Sequence, residues 1–219
     1  MQTDKKYIVV IGDIISSRKV EKRNDLQKKL LEVFADLNST RYKNHLVSPY
    51  MITLGDEFQA VYERADHLFL DSIRILERVF PQKIRFSFGV GEISTDINRQ
   101  QSIGMDGSAF YFAREGIENL KEQRGNYKFN VRGLEDPELE KLYNNSLFIF
   151  SNLLEGWHRN RYFILTNTMA GKTVKEIAKA LKLTETAVYM NIYDGSIREM
   201  IAILEIMSSH INEKVLGKR

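Results

Sequence analysis

Two aspartates interrupt apolar, strand-like segments of this sequence. Asp13 lies within the apolar residues 10–15, and Asp56 follows a glycine within residues 54–58. Two carboxylates that converge near a tight turn suit a hard cation such as Mg²⁺, usually together with substrate phosphates. Such a site can clamp the attacking and leaving oxygens of a phosphoryl transfer. We therefore expect Asp13 and Asp56 to hold Mg²⁺ or Mn²⁺ together with a phosphate group.

Either aspartate taken alone also fits a structural role. Gly-Asp is a common turn signal, so Asp56 suits the tip of a hairpin. An aspartate that ends a buried strand often caps the next helix, which is a second role for Asp13. The combination favours a shared site, because both residues lie in segments that the expected topology brings together.

The residues around the aspartates suit the phosphate half of such a site. Backbone N–H groups between a strand and a helix are free to bind an anion, and an arginine there adds a charge-assisted contact. The phosphate-binding set expected from this part of the sequence is Ile14, Ser16, Ser17, Arg18 and Gly55.

The hydrophobic pattern predicts the elements that must position these residues. Alternating or continuous apolar runs predict strands over residues 6–15, 50–54, 58–62, 84–93 and 127–132. Apolar residues at three- and four-residue steps predict helices over 22–38, 65–80 and 107–123. This order predicts an α+β, ferredoxin-like fold with an antiparallel sheet and helices on one face. Its first strand and its hairpin are neighbours at the sheet centre.

Composition narrows the class of protein. The chain has 219 residues, 32 Lys and Arg, 29 Asp and Glu, and no cysteine, which excludes disulfides and thiolate metal sites. Neither a signal peptide nor an apolar run long enough for a membrane span is found, so we expect a cytoplasmic protein without a membrane partner. The predicted domains are residues 1–134, a linking helix at 135–156, and an all-α domain at 157–219.

The C-terminal part has the pattern of a helix-turn-helix. Thr173 and Glu176 form a capping box, and Thr184 precedes a presumed recognition helix at 185–193. Residues 157–219 carry a net charge of +4, whereas the rest of the chain carries −1, which favours an anionic partner such as double-stranded DNA. The candidate DNA contacts are Lys172, Lys175, Lys182, Thr186, Tyr189 and Asn191. The apolar residues of 197–207 suit either a homodimer interface or an ordinary core helix.

These motifs resemble known families. The strand that ends in Asp13, the Leu-Gly-Asp-Glu-Phe hairpin and the strand at residues 85–91 resemble the palm fold of class III nucleotide cyclases and GGDEF proteins. Nearly the whole chain resembles the SatD family, which joins such a domain to a C-terminal helix-turn-helix. The resemblance implies that Asp106 and Arg114 take part in nucleotide binding.

The sequence also departs from active cyclases. Phe110 occupies the position of an asparagine that organises the ribose, and Leu54 replaces the first glycine of the GGDEF motif. The leading hypothesis is a nucleotide- and magnesium-responsive DNA-binding transcriptional regulator with a degenerate cyclase-like sensor. Two alternatives stay open: a divergent nucleotidyl cyclase or transferase, and a non-catalytic scaffold whose helix-turn-helix docks a protein.

Overall fold

Strands and helices alternate through the first half of the chain. The computed structural model describes residues 5–16, 23–40, 45–123 and 128–216. The strands are β1 (Lys6–Ile14), β2 (Leu46–Leu54), β3 (Glu57–Tyr62), β4 (Ile84–Glu92) and β5 (Lys128–Arg132). The helices are α1 (Arg23–Ser39), α2 (Leu68–Val79), α3 (Ser108–Glu122), α4 (Pro137–Glu155), α5 (Arg159–Met169), α6 (Val174–Leu181), α7 (Glu185–Asp194) and α8 (Ile197–Leu216). The fold class is therefore α+β.

The described strands form one mixed sheet in the order β2-β3-β1-β4-β5. The first four strands have the expected split βαβ order with antiparallel neighbours. The expectation of a wholly antiparallel sheet is wrong, because β5 pairs parallel to β4. A parallel neighbour needs a crossover connection, and α3 supplies it.

Helices cover both faces of the sheet, so the expectation of helices on one face is also wrong. Ile8 and Val10 of β1 belong to the hydrophobic cluster that contains the buried residues of α1 and α2. Val9 and Ile11 point the other way and pack with buried residues of α3. β1 is apolar at successive positions because successive side chains of a strand face opposite sides and both sides are buried.

A glycine in β4 allows α3 to lie directly on the sheet. A Cβ atom at Gly89 would lie 2.1 Å from the carbonyl oxygen of Ala109 and 2.4 Å from the amide nitrogen of Ala113. No larger residue fits that distance, so Gly89 sets how closely α3 approaches. This close approach brings the polar side chains of α3 over the end of β1.

The C-terminal helices continue the core of the α/β part. Asp136 caps α4, and its side chain accepts hydrogen bonds from the backbone N–H groups of Glu138 and Leu139. Met200 and Leu204 of α8 are buried in the same cluster as one face of the sheet. Most apolar residues of α8 within 197–207 pack on this core, whereas Ile206 is 55% exposed. A homodimer stays a prediction. No helix among the described residues is long and apolar enough to cross a membrane.

Candidate functional site

Asp13 lies at the centre of a charged cluster near the end of β1. In the strand register it pairs with Glu57 of β3 on one side and with Arg85 of β4 on the other. Asp13 is only 5% exposed, and Glu57 is 7% exposed. A guanidinium nitrogen of Arg85 donates to Oδ2 of Asp13 at 2.8 Å. The sheet itself thus places two carboxylates side by side and gives one of them an arginine.

Helix α3 adds two cations above this pair. Arg114 donates to Oε2 of Glu57 at 2.7 Å. The ammonium nitrogen of Lys121 lies 2.9 Å from Oε1 of Glu57 and 3.3 Å from Oδ1 of Asp13. Arg114 and Lys121 are seven residues apart and therefore share one helix face. We call these five residues (Asp13, Glu57, Arg85, Arg114 and Lys121) the α3 charge cluster.

The cluster favours the charged states of Glu57 and Lys121. Burial by itself raises the pKa of Glu57, but hydrogen bonds from Lys121 and Arg114 outweigh it and hold this pKa below its usual value. Burial lowers the pKa of Lys121, whereas its hydrogen bond to Glu57 and the charge of Asp13 raise it, and the net shift is upward. Both residues are therefore ionised near neutral pH, and the cluster carries a net charge of +1.

Asp56 lies in the tight turn between β2 and β3, as the hairpin motif predicts. Gly55 has φ of +57°, a left-handed conformation that favours glycine. The carbonyl oxygen of Asp56 accepts a hydrogen bond from the backbone N–H of Ile14 at 3.1 Å, so this turn lies against the end of β1. Asp56 itself is half-buried.

The remaining predicted phosphate ligands lie at different places. The backbone N–H of Ile14 is used by Asp56 and is not free to bind an anion. Ser16 is exposed and has φ of +57°. Ser17 and Arg18 lie outside the described residues. Asp106 precedes α3 and accepts from the backbone N–H of Gly107, at the opposite end of the helix from Lys121.

Three helices form the second candidate region. Helices α5, α6 and α7 contact one another. The capping box of Thr173 and Glu176 is formed, and the Thr184 hydroxyl accepts from the N–H of Ala187 at the start of α7. Lys182 ends α6 in a left-handed conformation with φ of 54°. A turn of only three residues therefore connects α6 to α7.

The predicted DNA-contacting residues differ in how exposed their side chains are. Lys172, Lys175 and Lys182 are exposed, as are Thr186 and Tyr189 on α7.

Asn191, by contrast, is half-buried and already engaged. Its side-chain oxygen accepts from Nε of Arg161 at 3.3 Å, and its amide group donates to the carbonyl oxygen of Ala187 at 2.9 Å. Asn191 therefore holds α7 against α5 instead of facing solvent.

Comparison with known proteins supplies the family. The sequence matches the model of the SatD family over residues 7–201. The chain belongs to the SatD family. No curated protein matches it. Among solved structures, a bacterial light-regulated adenylyl cyclase is similar with a TM-score of 0.35 and 14% identity, over 57% of this chain and 76% of the other. Similarity at this level does not support any inference about the site or the activity of this chain.

In this SatD-family protein, the donor set around Asp13 does not suit a divalent cation. Both oxygens of Asp13 already contact protein cations, Arg85 and Lys121, and Glu57 contacts Lys121 as well as Arg114. Divalent sites need several uncompensated oxygen ligands, whereas this cluster is net positive. The described part of the chain contains no group of three or more His, Asp or Glu side chains that could hold a metal. Metal binding by Asp13 and Asp56 stays a prediction. The ammonium group of Lys121 would compete with a metal ion for Asp13.

The prediction of site residues from the sequence missed three members of the cluster. Glu57 adjoins Asp56 in the hairpin motif and pairs with Asp13. Arg85 is the single charged residue between Ile84 and Val90, and the alternation of β4 puts it on the Asp13 side of the sheet. The sequence offers only weak evidence for Lys121, namely its seven-residue spacing from Arg114, which places both on one helix face.

Proposed function

We propose that this SatD-family protein is a DNA-binding transcriptional regulator whose α/β part is a non-catalytic nucleotide sensor. The observation that carries the proposal is a row of exposed lysines without ion pairs on α6 and the turns on either side of it. The row consists of Lys172, Lys175, Lys179 and Lys182, and we call it the basic row. None of the four makes an ion pair with any described residue.

The basic row is placed to contact a phosphate backbone. Lys175, Lys179 and Lys182 recur at four- and three-residue steps, so they share one face of α6 and its C-terminal end. Lysines without internal partners release condensed counterions when they meet DNA phosphates, which drives binding without regard to sequence. This supports α6 as the element that positions the protein on a duplex.

Helix α7 offers the side chains that would read base edges. Thr186, Tyr189, Met190 and Tyr193 are exposed and recur at i, i+3, i+4 and i+7, so they form one continuous face. A threonine hydroxyl bonds to base edges, and apolar groups contact the thymine methyl. The face carries neither Lys nor Arg, so we expect modest sequence selectivity.

The α3 charge cluster supports a binding role for the α/β part over a catalytic one. The side chains of Arg114 and Lys121 are each 40% exposed, so a phosphate group has access to both. Asp13 has its charge compensated by Arg85 and Lys121, which removes the free carboxylate that metal-assisted phosphoryl transfer needs.

A second candidate function is docking of a protein by α7. Tyr193 is 82% exposed, and Met190 is 54% exposed. Both line a groove of about 660 Å³ that also contains Asp194, Arg198 and Glu199, so its formal charge is −1, which disfavours DNA. An exposed aromatic and apolar face is typical of protein interfaces.

DNA binding by the full-length chain separates these candidates. In a fluorescence anisotropy titration with a random-sequence duplex, we expect affinity that falls steeply as salt rises. The Tyr189→Ala variant is expected to bind random duplex like the wild type but to lose preference for a selected sequence. If the wild type binds no duplex more tightly than about 10⁻⁴ M, the docking function is the better account.

Nucleotide sensing has a separate test. A nucleoside triphosphate that binds the folded state raises the melting temperature. We expect the Arg114→Gln variant to lose that shift, whereas Glu118→Gln, an exposed change on the same helix, keeps it. Absence of a shift with all four common triphosphates at millimolar concentration would contradict the sensor but not the DNA-binding role.

A further inference from the structure

One ammonium group bridges the two neighbouring carboxylates of the α3 charge cluster. Nζ of Lys121 lies 3.3 Å from Oδ1 of Asp13 and 2.9 Å from Oε1 of Glu57. The other oxygens of these carboxylates face separate cations, Oδ2 of Asp13 facing Arg85 and Oε2 of Glu57 facing Arg114. Among the residues that the structure describes, only Lys121 forms an ion pair with both acids.

We propose that Lys121 is the resident cation of this site, a tethered ammonium that occupies the position where a divalent cation would bridge Asp13 and Glu57. The site then needs no metal ion, and Mg²⁺ or Mn²⁺ binds it only when Lys121 is removed. This inference concerns the ion held by the α/β part and is independent of DNA binding.

The fold holds Lys121 in place. It lies next to the last residue of α3, where the neighbouring Leu120 is buried against the core. One turn earlier, a Cβ atom at Gly116 would lie 2.1 Å from Oγ of Ser87 and 2.5 Å from Oδ1 of Asn130. Helix α3 therefore contacts β4 and β5 directly at this level and cannot easily withdraw its lysine.

Electrostatics disfavours a divalent cation beside Lys121. A metal ion between the two carboxylates would lie next to three positive side chains that already contact the same oxygens. Like charges about 4 Å apart in a partly buried site repel strongly, because the surroundings screen them less than water does. A divalent ion gains access only if the ammonium leaves.

The test uses thermal unfolding of the full-length chain with neither DNA nor nucleotide present. The variant Lys121→Met keeps the apolar stem and removes the ammonium. The matched control is Lys29→Met, which changes an exposed lysine on α1. Without added metal, Lys121→Met is expected to melt several degrees below the wild type because two buried carboxylates lose a shared cation.

Added MnCl₂ then distinguishes the outcomes. We expect millimolar Mn²⁺ to raise the melting temperature of Lys121→Met and to leave the wild type and Lys29→Met unchanged. A wild-type melting temperature that rises with Mn²⁺ and loses that response in Asp13→Asn would overturn the proposal. Equal Mn²⁺ responses of Lys121→Met and wild type would overturn it as well.

A double variant keeps the proposal testable if Lys121→Met does not fold. Glu57→Gln removes one of the two carboxylates that need the cation. The double variant Glu57→Gln/Lys121→Met is then expected to fold and to lose less stability relative to Glu57→Gln than Lys121→Met loses relative to the wild type. Equal losses in the two backgrounds would show that Lys121 and Glu57 are uncoupled, which contradicts the proposal.

Discussion

The α3 charge cluster and the basic row differ in how their charges are compensated. In the cluster, three cations and two carboxylates are arranged so that every acid contacts two bases. In the basic row, four lysines are exposed and form no ion pair within the described part of the chain. The paired charges of the cluster connect α3 to the sheet and leave Arg114 and Lys121 partly exposed, whereas the lysines of the basic row are available to another molecule without breaking an ion pair. The comparison assigns stability and ligand selectivity to α3 and partner binding to α6.

The strongest test of this contrast removes the central acid of the cluster. Asp13→Asn leaves Arg85, whose side chain is only 15% exposed, without its charged partner. Breaking a buried pair from one side costs about 3–5 kcal/mol, and the exposure of Lys121 reduces that to roughly 2–3 kcal/mol here. We expect a fall in melting temperature of about 5–10 °C. Glu118→Gln on the exposed side of α3 is the control, and a similar fall in that variant would contradict the assignment.

The second test removes the basic row. A variant with alanine at Lys172, Lys175, Lys179 and Lys182 is expected to keep its melting temperature and to lose affinity for duplex DNA on the order of 100-fold. The plot of log affinity against log salt should flatten by about one unit for each lysine that contacts phosphate. Lys141→Ala, on α4, controls for general loss of positive charge. Unchanged DNA affinity in the four-lysine variant would refute the role of α6.

A third prediction contrasts two residues of α7, the half-buried Asn191 and the exposed Tyr189. Asn191→Ala removes the acceptor of Arg161 and is expected to cost about 1 kcal/mol of unfolding free energy, with little change in sequence preference. Tyr189→Ala is expected to change the sequence preference with little effect on the unfolding free energy, because the Tyr189 side chain is exposed and faces away from the core. Denaturant unfolding and binding-site selection measure the two effects. If Asn191→Ala changed the sequence preference and Tyr189→Ala did not, Asn191 would be the side chain that contacts base edges.

The smallest expected effect concerns a surface bridge between β1 and α8. Glu135 accepts from Lys6 at 2.7 Å and from Lys214 at 2.9 Å. Hydrogen bonds from these two lysines lower the pKa of Glu135 from 4.5 to about 2. Because this pKa is depressed in the folded state, the stabilisation is present above about pH 4.5 and is lost as pH falls toward 2.

The variant Glu135→Gln tests that bridge. It is expected to be slightly less stable than the wild type at pH 7, since exposed ion pairs contribute little, and to converge with it near pH 2. Thermal unfolding across this pH range measures the difference. A constant gap between the two proteins at all pH values would show that the charge of Glu135 does not act through these lysines.

Much of the fold follows from local patterns. The apolar run of β1, the Gly-Asp turn after Leu54 and the capping box at Thr173 each form where the sequence predicts them. These features depend on interactions within a few residues, such as turn geometry and capping hydrogen bonds. The family resemblance is also confirmed by the match over residues 7–201.

The sequence-based predictions that proved wrong concern how distant elements are placed relative to one another. The parallel pairing of β5 depends on which edge strand it joins, and the second covered face depends on which side of the sheet α3 crosses. The periodicity of α3 decides neither. Whether the apolar residues of α8 pack on the core likewise depends on where the other elements lie, and a homodimer stays a prediction.

The sequence by itself determined the elements, the family, and the two segments that bring acidic residues to the centre of the sheet. It also determined the charge asymmetry between residues 157–219 and the rest of the chain. Only the tertiary structure decided which charges meet. Arg85 reaches Asp13 through strand pairing over 72 residues, and Lys121 bridges two strands from a helix above them. A long side chain finds its partners through packing and reach in three dimensions, so local spacing leaves those partners undetermined.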